Sequence, residues 1–252
     1  MASPVPVRAL YALPPSMLQP QSDCMRAHPI QTQLAPPSKR PPTPTFRPVR
    51  LHTPPPHFTP PTLTPLHQAA ASGQTQKVAA LLKEPDTLID HVNNDRRSAL
   101  HLSAGNGAKD TVELLLNRKA SVESRDLFHW TPLFLAVRGG HLETAELLLR
   151  KKANPNARDL VGNTPLHEAV GRDNPKIVEL LLQYRAKINA TNTFNQTPLH
   201  RGVDEGSARC LHRLLQQEEL QCQIADDQGR TACKYAKDEQ WDEMAQLLQP
   251  KK

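Results

Sequence analysis

Aromatic residues make up only 4% of this chain, and its 252 residues include four cysteines. No two cysteines are spaced C-x-x-C, which excludes the commonest zinc-knuckle and dithiol redox motifs. Cys210, Cys222 and Cys233, with His212 close by, are near enough in sequence to suggest zinc. Cys210 and Cys233, however, fall at core positions of helical segments and read as buried free thiols. Sparse, unpaired cysteine suits a reducing compartment. No apolar run reaches the roughly 18 residues of a membrane span, so no transmembrane segment is expected. The N-terminus is acid-poor, as transit peptides are, but Pro4, Pro6, Pro14, Pro15 and Pro20 would break the amphipathic helix such a peptide needs. There is no P-loop, no G-x-G-x-x-G, no G-x-S-x-G and no H-E-x-x-H. The chain is therefore expected to be no enzyme, with no cofactor, no catalytic residues and no metal.

Glycine is absent from residues 1–63, which hold 17 of the 25 prolines. Arg8, Arg26, Lys39, Arg40, Arg47 and Arg50 stand there against one acid, Asp23, so this stretch carries +5 of the formal net charge of +6. A segment of that composition cannot bury enough apolar area to offset its ordering entropy. Residues 1–63 are expected to form a disordered, basic, proline-rich tail, stiff rather than floppy because proline without glycine favours extended conformations. Pro36-Pro37, Pro41-Pro42-Thr43-Pro44 and Pro54-Pro55-Pro56 are candidate ligands for an SH3- or WW-type partner. Composition alone favours a solvated spacer. Thr43, Thr53 and Thr59 each precede proline and could accept phosphate, three of which would about cancel the tail's excess charge.

What the chain does contain is a repeat. Thr64-Pro65-Leu66-His67, Ser98-Ala99-Leu100-His101, Thr131-Pro132-Leu133-Phe134, Thr164-Pro165-Leu166-His167, Thr197-Pro198-Leu199-His200 and a degenerate Thr231-Ala232-Cys233-Lys234 follow one another at intervals of 34, 33, 33, 33 and 34 residues. Each is followed by a leucine doublet, expected at fixed offset to fill the same place in every unit: Leu81-Leu82, Leu115-Leu116, Leu148-Leu149, Leu181-Leu182, Leu214-Leu215 and Leu247-Leu248. The clearest unit runs from Asp159 to Ala190. Thr164-Pro165 reads as a helix cap followed by proline at the first helical position, and Asn174-Pro175 repeats that signal for a second helix. Helices this short are marginal alone, so each unit needs neighbours on both sides.

The period and the T-P-L-H core resemble the ankyrin repeat family. The resemblance implies an all-α solenoid of helix-turn-helix units with β-hairpin tips. It spans residues 64–252, with repeats at about 64–92, 93–125, 126–158, 159–191, 192–225 and 226–252. His67, His101, His167 and His200 recur at the repeat period, too far apart to share a metal ion. In the family this histidine supports hydrogen bonding between hairpin and helix. The family also implies a concave binding face lined by the hairpin tips and the outer side of each first helix.

Three departures stand out. Arg96 occupies the hairpin position where the family has glycine, which predicts a reshaped hairpin in the second repeat. The third repeat reads Asp126-Leu127-Phe128-His129-Trp130, with bulky apolar residues where tips are usually polar. Register adds Leu160 and Val161 from the fourth tip and Phe194 from the fifth. Leu127, Phe128, Trp130, Leu160, Val161 and Phe194 are the candidate anchors of a partner segment, with Arg138 and Arg172 contributing charge. Mutual packing of the tips is the equally weighted structural reading. Lastly, Lys119, Lys152 and Arg185 stand where the family ends its second helix with glycine. With Arg118, Arg150, Lys151 and Lys187 they form a basic row.

The function this implies is a non-catalytic protein–protein interaction module, scaffold or adaptor, in the cytoplasm, the nucleus or both. Among named types, the chain resembles transcription-factor inhibitor or cofactor proteins and proteasome-assembly ankyrin chaperones. The reading from another class is an anionic-ligand binder, for nucleic acid or phospholipid, acting through the basic tail. No nucleic-acid-binding motif accompanies that charge, so a protein is the expected partner.

Overall fold

The computed structural model of the chain describes residues 63–249. The tail expected over 1–63, and its proline-rich and Thr-Pro motifs, lie outside the described residues save for Leu63. The described residues are helical, in six helix-turn-helix pairs: α1 (Pro65–Ala71) with α2 (Thr75–Leu81), α3 (Ala99–Gly105) with α4 (Lys109–Asn117), α5 (Pro132–Arg138) with α6 (Leu142–Arg150), α7 (Pro165–Gly171) with α8 (Pro175–Gln183), α9 (Pro198–Asp204) with α10 (Ala208–Leu215), and α11 (Ala232–Asp238) with α12 (Asp242–Leu247). The first helices of the pairs pack in series as an inner layer, and α2 to α10 follow in register as an outer layer.

Each inner helix starts as its tetrapeptide dictates. Thr64, Ser98, Thr131, Thr164, Thr197 and Thr231 are extended residues at the N-cap, and proline occupies the first turn of α1, α5, α7 and α9. In α3, α7 and α9 the cap hydroxyl accepts the N–H of the histidine three residues on. That N–H is the backbone's, and the ring Nδ1 of the same histidine in turn accepts the cap's own N–H, at 3.1 Å in each, so two otherwise orphaned donors are satisfied reciprocally. The other ring nitrogen reaches a carbonyl of the next hairpin: His101 to Trp130, His167 to Gln196 and His200 to Arg230, each at 3.1 Å. His67 does the same with Arg97. The histidines therefore join one repeat to the next, as the resemblance implied. Because Nδ1 accepts and Nε2 faces a carbonyl, the neutral Nε2–H form is the one that fits.

The core is aliphatic and continuous from Leu66 to Leu248, with Leu100, Leu115, Leu133, Leu148, Leu166, Leu181, Leu199 and Leu214 essentially closed to solvent. Burying each contributes about 1.5–3 kcal/mol. Five residues after each N-cap a small side chain recurs: Ala69, Ser103, Ala136, Ala169, Gly202 and Ala236. At Gly202 there is no room even for a methyl, since a Cβ there would lie 2.7 Å from Val170 Cγ1 and 2.8 Å from Leu211 Cδ2. That explains a glycine inside a helix.

Two expectations need correction. In the last repeat the buried partner of Leu115, Leu148, Leu181 and Leu214 is Leu248, while Leu247 is 52% exposed. The doublet sits one residue early because the repeat opens 34 rather than 33 residues after its predecessor. The second hairpin is also not reshaped. Arg96 takes φ +57, beside +60 for His129, +79 for Gly162, +57 for Asn195 and +72 for Gly229. Its N–H closes on the Asn93 carbonyl at 2.9 Å, as Gly162 does on Asp159 at 3.0 Å. The hydrogen bonds around the turn outweigh the roughly 1 kcal/mol that a side chain costs in this conformation.

Candidate functional site: the hairpin tips

Each tip is built on one carboxylate or amide. Asn93, Asp126, Asp159, Asn192 and Asp226 each use Oδ1 to accept two backbone N–H groups, two and four residues ahead. For Asp126 these are Phe128 and Trp130, both at 2.9 Å. For Asn192 they are Phe194 and Gln196, also at 2.9 Å. The same residue's N–H bonds the carbonyl four ahead, from Asp126 to Trp130 at 3.1 Å and from Asp159 to Asn163 at 3.0 Å. An Asx turn thus shapes every loop. Main-chain bonds then join tip to tip: Leu127 N–H to Asp95 O at 3.0 Å, Leu160 to Phe128 at 3.2 Å, Thr193 to Val161 at 2.9 Å and Asp227 to Phe194 at 3.2 Å. The tips form one rigid row.

On that row Leu127 is 49% exposed, Phe128 38%, Leu160 56% and Phe194 43%. All four stand on the three consecutive tips that these bonds join, and Val161 is half-buried on the middle one. Trp130 does not join it. It is 7% exposed and packs with Phe134 and Leu135 in a small cluster beside the main core. Phe128 stacks on its ring at 4.8 Å between centroids, and Phe134 lies parallel to it at 5.7 Å. Trp130 belongs to a second row, four residues past each Asx residue, whose side chains reach toward the next repeat. Arg97 donates Nε to Asp126 Oδ2 at 3.0 Å, Trp130 donates to Asp159, and Asn163 accepts from Asn192 at 3.1 Å. Placing Trp130 on the tip surface missed that its indole N–H needs this buried acceptor.

The two arginines of the inner-helix ends are also placed differently from one another. Arg138 has its guanidinium 4.5 Å from the Trp130 ring centre and Nη1 3.4 Å from Glu168, with a side chain 10% exposed. Arg172 reaches the same Glu168 at 3.1 Å but keeps half of its side chain in solvent. Arg201, 3.8 Å from Glu168, comes from the next repeat. Glu168 is buried, and three arginines from three successive repeats surround it. Sequence reasoning passed over it, although a lone acid one residue after T-P-L-H, where other repeats have Gln68, Leu102, Leu135 and Arg201, was the available signal.

Burial also moves the titrating groups. It pushes the imidazole of His101 down to about 4, against a smaller opposing pull from the Asp126 charge. Burial takes His167 down to about 3, and His67 and His200 are lowered for the same reason. Cys210, whose Sγ lies 3.9 Å from the Ala169 carbonyl, is pushed up to about 12 by burial and the nearby Asp173 charge. A thiol so held is not a nucleophile at neutral pH. Cys210, Cys222 and Cys233 are free. Among the described residues no helix is long and apolar enough to cross a membrane.

Paired helices behind hydrogen-bonded hairpin tips, with a buried histidine joining four of the six units to the next, define a helical repeat stack. A family description of ankyrin repeats, three copies long, matches residues 51–126 and 119–192. The chain belongs to the ankyrin repeat family. It is 43% identical over 70 residues to cortactin-binding protein 2 of Rattus norvegicus, a match that covers 28% of this chain and 4% of that one. It is 38% identical over 73 residues to the tyrosine-protein kinase Shark of Drosophila melanogaster, covering 29% and 8%. It is 39% identical over 74 residues to a transient receptor potential cation channel subfamily A member 1 homolog of Caenorhabditis elegans, covering 29% and 6%. These matches thus span less than a tenth of each relative.

Proposed function

We propose that the chain is a non-catalytic protein–protein interaction module whose tip row receives an apolar segment of a partner protein. One observation carries this. Of the eight large hydrophobic residues exposed among the described residues, Leu127, Phe128, Leu160 and Phe194 stand on three consecutive tips joined by main-chain hydrogen bonds. A contiguous exposed apolar patch on a rigid scaffold is the usual form of an interaction site. Val161 extends it, and Arg172 supplies a half-exposed cation at the far end of the inner helices. Trp130 and Arg138 act beneath it: the indole is the base on which Phe128 stands, and the guanidinium lies on the indole. The relatives fit this reading, because a cortactin-binding protein, a kinase and a channel share the repeats while their names share no activity. Three free cysteines suit an intracellular setting, cytoplasmic or nuclear.

The test is affinity capture from the native cell with the full chain and with Leu127→Ala/Phe128→Ala/Leu160→Ala/Phe194→Ala. A partner held by the first and lost by the second, at unchanged melting temperature, is the expected result. A partner held equally by both rules the tip row out. One released by moderate salt from both chains points instead to polyanion binding through the basic tail.

A further inference from the structure

Three consecutive repeats end their outer helix on a cation in left-handed backbone conformation: Lys119 at φ +67, Lys152 at +68 and Arg185 at +62. The closing hydrogen bonds are the same in each. Lys119 N–H bonds Leu116 O and Ala120 N–H bonds Leu115 O, both at 3.0 Å. Lys152 and Ala153 repeat this on Leu149 and Leu148, and Arg185 and Ala186 repeat it on Leu182 and Leu181. This is the Schellman closure, which glycine adopts without strain. A side chain there costs about 1 kcal/mol. The equivalent positions of the first and fifth repeats hold Pro85 and Glu218, so among the described residues these cations fall in the second, third and fourth repeats.

Charge adds to the strain. Arg118 and Lys151 immediately precede two of these residues, and all five side chains are exposed. None of the five forms an ion pair among the described residues, whereas the neighbouring Arg150 reaches Glu146 at 3.5 Å. Lys151 Nζ donates to Asn117 Oδ1 of the preceding repeat at 2.9 Å, so a side chain on this edge spans from one repeat to the next. A cation near a helix C-terminus recovers a few tenths of the lost stability through the helix dipole. The closing hydrogen bonds hold the backbone as they hold Arg96, but glycine would make the same bonds without the cost, and a strained position kept for an exposed cation without an ion pair is the pattern of a binding surface.

We propose that the outer-helix edge formed by Lys119, Lys152 and Arg185, with Arg118 and Lys151, binds an extended Asp/Glu-rich segment of a partner protein. This surface is carried by the outer helices and is separate from the tip row. Neighbouring helices pack about 8–10 Å apart, and an extended chain advances about 3.3 Å per residue. A carboxylate at every third residue therefore meets successive repeats. Acidic peptide fits better than a polyphosphate chain, because Glu123 is held by the Asn154 N–H at 2.7 Å between the loops that follow Lys119 and Lys152. A peptide can place a neutral residue opposite that carboxylate, and a phosphate backbone cannot.

The experiment titrates the full chain with labelled decaglutamate, an oligo-dT strand of equal charge, and phosphatidylserine vesicles. Each is repeated with Lys119→Gln/Lys152→Gln/Arg185→Gln and with the corresponding triple glycine variant. The tail is present throughout, so its own attraction for anions cancels in the comparison. Decaglutamate should bind about tenfold more weakly to the glutamine variant, as expected for three exposed ion pairs, while Phe128→Ala leaves its affinity unchanged. The glycine variant should bind as weakly and melt at a higher temperature. Unchanged affinity in the glutamine variant overturns the proposal. So does a lower melting temperature for the glycine variant, which would make the cations helix caps, or a larger loss for oligo-dT or vesicles than for decaglutamate.

Discussion

Arg97 of the second tip and Asp126 of the third form an ion pair of 3.0 Å whose side chains are 4% and 0% exposed. Asp126 also orders its own tip by accepting from Phe128 and Trp130. One carboxylate thus sets a turn and clamps it to the preceding repeat. Removing one partner of such a pair strands the other charge in the interior. Asp126→Ala should lower stability by about 3–5 kcal/mol, read as a fall in urea midpoint. Arg97→Met with Asp126→Ala should lose less than Asp126→Ala alone, because no charge is then stranded. Equal losses would show that the turn, and not the pair, carries the effect.

The neutral histidines make the fold sensitive to acid. An unfolded histidine takes up a proton near pH 6.5, whereas folded His101 and His167 do so only near about 4 and about 3. Between those values the unfolded state binds more protons, so stability is complete above about 6.5 and declines as pH falls toward the folded values. At pH 5 each of the two contributes a loss of about 2 kcal/mol, at about 1.4 kcal/mol per pH unit. Urea midpoints measured from pH 7.5 to 4.5 should fall steadily, and less steeply in His101→Gln.

At Gly202, helix propensity and packing oppose each other. Alanine would gain up to about 1 kcal/mol as a helix former. Its Cβ would press on Val170 and Leu211 at 2.7 and 2.8 Å, and overpacking of this kind costs about 1–3 kcal/mol. Gly202→Ala should therefore lower the melting temperature, and Val170→Ala in the same chain should recover part of the loss. A rise in the single variant would mean that α9 moves freely against α7.

Phe128 and Trp130 should separate cleanly by mutation. Trp130→Ala empties a buried site and should cost about 3–5 kcal/mol of stability. Phe128→Ala, at a position 38% exposed, should cost far less and act on partner binding. Thermal melts followed by circular dichroism distinguish the two. A large loss in Phe128→Ala would make the tip stack structural.

The repeat, its phase and the cap of every inner helix were legible in the chain, because each rests on short-range chemistry. Thr164, Pro165 and His167 make their contacts within one turn of helix or at a fixed offset to the next unit. The place of Leu127, Phe128, Leu160 and Phe194 on the tips was legible for the same reason, since tip position follows from register, and the structure leaves all four exposed. The misreadings have a common origin. Arg96 and Leu247 were judged against an average repeat, whereas local hydrogen bonds held the first in place and a one-residue insertion displaced the second.

Sequence by itself determined that this chain is a stack of ankyrin repeats, since period, caps and apolar spacing are local and additive. Only the tertiary structure decided the depth of Trp130 under Phe128, the convergence of Arg138, Arg172 and Arg201 on Glu168, and the unpaired charge of Lys119, Lys152 and Arg185. Those relationships depend on how neighbouring repeats pack, as where Arg138 and Arg201 meet Glu168 from the repeats on either side. A linear pattern records which side chains are available there, and the distances between them exist only once the repeats have stacked.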